Sequence, residues 1–364
     1  MLPTVSAGVE EKVARHRAHG LEKIQVQLAA LAAVCVVYFV FSKAFEAWDP
    51  LAPVVFLPMG AYVQAAGFIG LLLAMAAVCA VLTISSRREG ALLAVLIGAG
   101  GVSLHSPQAR ALFWLRPGGL SGVYGSMILE VVLFAGAVVL AAVVIDLIQT
   151  LIGRIRPGWL WRSPIADLPE KQLSALGKAG PDGSVWIGGV EALFLNIVYG
   201  AVSHFGRKGT MKVRKESGAA HSAVRALACL GLGLLIAVVV LLLVLRSAER
   251  GQILFALALS FGAGVLISHQ VFPTGFSAAA WLAPMIAAVF FYALAAFAPI
   301  PDTPQGWISV PLYARALPID WLSAGAGGGL LGYWISWRIH ELRILDKAGK
   351  RHHGSTREPG AGSQ

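Results

Sequence analysis

Charge is what this 364-residue sequence has least of. Asp, Glu, Lys and Arg make up 13% of it against 57% hydrophobic residues, about half the charged share of a soluble globular domain. With a mean hydropathy of +0.72, the chain has too little polar surface to clothe a water-soluble core, and too much apolar sequence to remain disordered over most of its length. Cysteine is nearly absent too. Cys35, Cys79 and Cys229 fall in three separate apolar stretches without a Cys-x-x-Cys spacing, which excludes a disulfide framework and a thiolate metal site and leaves them as small apolar helix residues.

Catalytic signatures are missing as well. There is no H-E-x-x-H, G-x-S-x-G, G-x-x-x-x-G-K-[ST] or dinucleotide fingerprint, and the GRKGT run at Gly206–Thr210 is too short for a phosphate loop. No metal or cofactor is therefore implied, and soluble-enzyme chemistry is unsupported. No internal repeat relates the two halves, so nothing points to an inverted-repeat transporter. The N-terminal charged stretch is about 25 residues long, and no small-x-small cleavage site follows at Ser42–Asp49, which reads as an uncleaved signal-anchor.

What the chain does have is long apolar runs. Crossing about 30 Å of hydrocarbon takes about 20 residues of helix, and runs of nearly that length without Lys or Arg occur at Val26–Phe41, Ala66–Ile84, Ala91–Leu104, Ser126–Ile152, Ala226–Leu245, Ile253–Phe272, Ala278–Ile300 and Trp321–Trp337. The expected fold is all-α: a polytopic integral membrane protein with about eight transmembrane helices. The third run, with Gly98, Gly100 and Gly101 followed by His105 and Pro107, also admits a tilted or re-entrant segment. The 41 glycines suit helices that pack closely without a hydrophobic drive.

The net charge of +10 reflects topology rather than nucleic-acid binding. With the N-terminus inside and the chain alternating, about 23 Lys and Arg fall on the cytoplasmic side and about six outside: Lys43, Arg110, Arg116, Arg246, Arg250 and Arg315. The resulting organisation is a cytoplasmic segment 1–25, transmembrane helices over 26–152, a cytoplasmic basic loop 153–225, transmembrane helices over 226–337, and a basic, disordered cytoplasmic tail 338–364. Within the loop, Val185–Phe205 has spanning length. Were it to cross, Arg207, Lys208, Lys212, Arg214 and Lys215 would lie outside, so it is read as an interfacial amphipathic helix. Such a chain belongs in a bacterial-type inner (plasma) membrane with both termini cytoplasmic. The outer connections Trp48–Ala65 and Pro301–Ile319, rich in Pro and aromatic residues, read as lying in the interface.

Ionisable groups in hydrocarbon are costly and call for a function. Glu130 and Asp146 share the fourth run but lie about 24 Å apart along it, too far to act together. With Gln149, Arg154 and His269 they are the candidates for an ion, proton or headgroup path, against the simpler readings of interfacial ion pairing for Asp146 and helix capping for His269. Gly325, Gly328, Gly329 and Gly332 form overlapping G-x-x-x-G spacings in the eighth run, a smooth packing face.

Three stretches also resemble the motifs of type 2 phosphatidic acid phosphatases: LIGRIRPG (Leu151–Gly158), SGAAHS (Ser217–Ser222) and Ser260 to His269. The resemblance implies that Arg156 would hold phosphate, His221 would act as acid and His269 as nucleophile. The pattern is degenerate. Gln149 stands where the family has lysine, two alanines interrupt Ser-Gly-His, Phe261 replaces an arginine, and no Asp follows His269 at the needed spacing.

The sequence thus leaves a transport or permease-like role and a membrane assembly or scaffold role side by side, the latter through anionic lipid headgroups or a membrane-protein partner at the basic loop. A degenerate lipid-phosphate phosphatase stands third.

Overall fold

The computed structural model describes residues 24–45, 52–107, 109, 112, 120–155, 217–275, 277–298 and 306–355. Among these residues there is no strand, and long helices follow one another in chain order: α1 (Ile24–Phe45), α2 (Tyr62–Leu82), α3 (Arg88–His105), α4 (Leu120–Ile155), α5 (Ser217–Val244), α6 (Arg250–Val271), α7 (Ala278–Phe297) and α8 (Ala326–Ser355). A π turn at Val37–Phe41 and a 3-10 turn at Ser42–Phe45 end α1, while α8 is entered through a helical turn at Pro318–Asp320 and a π turn at Trp321–Gly325. Each of the eight apolar runs coincides with helix.

Six of these helices, all but α3 and α8, are long and apolar enough to cross a membrane. Position in the bundle explains why the other two differ. In the apolar windows of α1 and α5 only 22% of residues are buried, so their sides must suit lipid, whereas α3 is enclosed from Gly90 to Ser103. A helix wrapped by protein can carry glycine, serine and end charges that a lipid-facing one cannot. The glycines of α3 make it a packing helix. A side chain at Gly98 would strike Ala33 of α1 and Met75 of α2, and one at Gly101 would meet the α1 backbone at Val34 and Tyr38.

Around this axis, α6 packs most extensively against α5 and α8, and α4 against α2 and α7. Phe45, Phe56, Phe68 and Phe134 interlock with ring centroids 5.4–6.2 Å apart, joining α1, α2 and α4 at one end of the bundle. The connection into α2 is not a surface loop. Ala52, Val54, Val55 and Phe56 are buried, and the chain reverses at Gly60, whose φ of 71° suits glycine.

The C-terminal segment departs from expectation. Residues 338–355, read from sequence as the start of a disordered tail, continue α8 to Ser355. Its first turns past the apolar run are held by two tertiary contacts, Arg87 pairing with Glu341 at 2.8 Å and Arg343 donating to Gln270 Oε1 at 2.8 Å, while Arg338 pairs with Glu341 along the helix at 3.2 Å. Val185–Phe205 and the rest of the basic loop from residue 156 to 216 lie outside the described residues.

Candidate functional site

The polar groups inside this apolar bundle gather at its two ends. At one end, Asp320 is fully buried at the entrance to α8, where Pro318 opens the helical turn and the Leu317 N–H donates to Asp320 Oδ2 at 2.7 Å. Arg250, the first residue of α6, forks onto both carboxylate oxygens, Nη1 to Oδ2 and Nη2 to Oδ1, each at 2.5 Å. Ser103 near the end of α3 completes the cluster. Its hydroxyl donates to Asp320 Oδ1 at 2.6 Å, and its carbonyl accepts from Arg250 Nε at 3.2 Å and Nη2 at 2.8 Å. Bidentate, charge-assisted bonds of this kind are the strongest polar contacts a protein makes, and the two charges cancel. The triad bolts α3, α6 and α8 together.

At the same end Glu130 anchors the inward-turned connection. Its Oε2 accepts the backbone N–H groups of Phe56 at 2.9 Å and Leu57 at 3.0 Å, while Ser106 Oγ takes the Val54 N–H at 2.8 Å. Irregular backbone inside a membrane protein is tolerated where side chains satisfy its donors, and here they do. Glu130 Oε1 is buried without a hydrogen-bond partner among the described residues. Nearby, Tyr292 Oη donates to the Ala316 carbonyl at 2.6 Å.

At the opposite end, His269 closes α6 in full burial. Nδ1 is 2.8 Å from Ser336 Oγ and Nε2 is 3.0 Å from the Thr274 carbonyl oxygen, so both ring nitrogens are engaged. The ring sits 4.7 Å from that of Tyr333 and 5.6 Å from that of His340. Gln270 bonds Ser336 from the same turn. Arg87, just before α3, pairs with Glu341 at 2.8 Å and stacks 4.1 Å above Trp337. Burial, with the positive charge of Arg343 adding to it, lowers the pKa of His340, which lies past the apolar run of α8.

The residues singled out by sequence are thus distributed, not convergent. Asp146 pairs with Arg88 in a half-exposed contact. Gln149 and Arg154, with Ser86, Arg87, Arg88, Thr150 and Gly153, line a cavity of about 470 Å³ between the start of α3 and the end of α4. His221 lies in the first turns of α5, and Arg156 is outside the described residues. Gly328 and Gly332 press on α6 at Ala258 and Gly262, Gly329 on Ala280 of α7, and Gly325 on Pro284, each leaving no room for a Cβ. The eighth-run glycines therefore pack within the monomer.

Asp320, Ser103, Glu341 and Ser336 were not singled out by sequence, and Arg250 entered only as a topological charge. The local hint for Asp320 was Pro318 followed two residues later by an acid, an N-terminal helix signal. Comparison with protein-family models, curated proteins and solved structures finds no match.

Proposed function

We propose that this protein is a membrane assembly or scaffold component: an eight-crossing bundle, with α3 and α8 as its enclosed crossings, both termini cytoplasmic, in a plasma membrane of bacterial type. The observation that carries this reading is the fate of its intramembrane charges. Arg250 and Asp320 are consumed by one another, Glu130 by backbone donors, and Arg87 by Glu341. Groups spent on holding helices together are not available to line a path for ions or protons. Of the five path candidates, Gln149 and Arg154 border the described cavity, and the ionisable groups Glu130, Asp146 and His269 do not.

The pairing of ends supports eight crossings. In the alternating topology Arg87, Asp146, His269 and Arg338 share the cytoplasmic side, while Ser103, Glu130, Arg250 and Asp320 share the other. The contacts within each set agree with that sorting. The basic loop, with Lys212, Arg214 and Lys215, is then the docking surface for a membrane-protein partner or anionic lipid, where each juxtamembrane charge contributes about 1 kcal/mol.

The test is affinity purification from native membranes with Lys212, Arg214 and Lys215 neutralised together. Loss of a co-purifying protein supports the scaffold role, and an unaltered set of partners refutes it. The second reading, proton-coupled transport, is favoured by one observation, the unpartnered buried Glu130 Oε1. Purified protein in liposomes that moves protons, with Glu130→Gln abolishing the flux, would establish transport in place of the scaffold.

A further inference from the structure

We infer that the cavity between the start of α3 and the end of α4 is a binding site for the phosphate headgroup of an anionic phospholipid. Ser86, Arg87, Arg88, Gln149, Thr150, Gly153 and Arg154 line it, which places three guanidinium groups and no acidic side chain on its wall. Its volume of about 470 Å³ is ample for a glycerophosphate headgroup, since small-molecule sites begin near 300 Å³. The helix α3 starts at this wall and has no side chain capping its first turn. Its N-terminal dipole therefore adds to the positive field.

A second observation points independently to a ligand. Gln149 is 4% exposed, and its Nε2 has no hydrogen-bond partner among the described residues. Leaving a buried amide donor without an acceptor is unfavourable, and this one belongs to a residue lining the cavity. A phosphate oxygen would satisfy it. Arg154, by contrast, is exposed and forms no ion pair among the described residues. Arg88 is shared with Asp146, and Arg87 is braced by Glu341 and Trp337. A fixed arginine whose orientation is already set costs little entropy to recruit.

The surroundings choose a lipid over a free anion. Directly along the helices from the cavity, α4 exposes Val143, Leu147 and Leu151, and the neighbouring α2 exposes Val78, Val81 and Leu82. The headgroup would sit among the arginines while its acyl chains lie on this apolar wall. The inference does not rest on the scaffold reading, because it uses only the position of the cavity at the helix ends.

The experiment is native mass spectrometry of the full-length protein in detergent, titrated with phosphatidylglycerol, phosphatidylcholine or inorganic phosphate. The wild type is expected to retain one phosphatidylglycerol in preference to phosphatidylcholine. Gln149→Leu, which leaves the charge unchanged, and Arg154→Gln should each weaken that retention about ten-fold, the worth of one charge-assisted hydrogen bond. Arg246→Gln at the far end should leave it intact. Each variant is first checked for a wild-type elution profile, and because Arg154 is exposed its variant keeps the fold. Wild-type retention by either Gln149→Leu or Arg154→Gln overturns the site. Inorganic phosphate displacing the lipid at equal concentration overturns the lipid assignment.

Discussion

Removing the Asp320 carboxylate tests the account of what holds the helices together. In the wild type that group accepts four hydrogen bonds between 2.5 and 2.7 Å, from Arg250 Nη1 and Nη2, Ser103 Oγ and Leu317 N. Its side chain is 0% exposed, and that of Arg250 is 15% exposed. Asp320→Ala leaves a guanidinium in a dry site with only Ser103 to bond. Breaking one half of a buried pair costs about 3–5 kcal/mol. At about 2 °C per kcal/mol for a chain larger than 250 residues, the Tm should fall by about 6–10 °C. Replacing both partners, Arg250→Met with Asp320→Leu, removes the stranded charge along with the attraction and should restore most of the loss, since desolvation of two ions offsets much of their mutual attraction. The assay is thermal unfolding of the detergent-purified protein followed by loss of the monodisperse peak. An Asp320→Ala variant as stable as the wild type refutes the argument, and so does a double variant that loses the sum of the two single losses.

Three further outcomes follow from the same geometry. Glu130→Ala removes the acceptor for Phe56 and Leu57, so those two backbone amides should exchange with deuterium at least about ten-fold faster, at a cost of about 1–3 kcal/mol for the donors left unsatisfied; unchanged protection at 56–57 would refute the anchoring role. Gly332→Val forces a branched side chain into the Gly262 backbone, and overpacking of this kind should cost about 1–3 kcal/mol, read as a lower Tm, whereas Gly122→Val, at a site with nothing within 4 Å, should be silent. The lowered pKa of His340 means the folded protein binds its proton less readily than the unfolded chain, so stability is full above the ordinary histidine value of 6.5 and is lost as pH falls below it. His340→Gln should flatten part of that decline in a Tm titration, and a slope identical to the wild type's would contradict it.

How much of this was legible in the sequence depends on range. Hydrophobic run length is a local property, so all eight runs landed on helices, and the short third run proved to be a full helix because Gly98 and Gly101 let α1 close on it. The pairing of Asp146 with a nearby arginine was readable for the same reason. The clusters were not. Arg250 and Asp320 are 70 residues apart, and Ser103 and Asp320 are 217 apart, and no periodicity links them. Glu130 stood out as a buried acid, yet its partners are backbone amides, which every residue has, so its role as an anchor left no mark in the composition. The helical extension to Ser355 was obscured by charge: a polar sequence reads as a tail until, as at Arg343, a side chain finds a partner in another helix.

The separation of Arg250 from Asp320 also has a consequence for biosynthesis. The arginine reaches the bilayer while its counter-ion is still 70 residues from being made, which at 5–20 residues per second is about 4–14 s of translation. During that interval α6 carries an uncompensated cation at its end, and the contact that joins α3 and α6 to the entrance of α8 cannot form. A chain ended before residue 320 would lack that carboxylate altogether and leave Arg250 only Ser103 to bond.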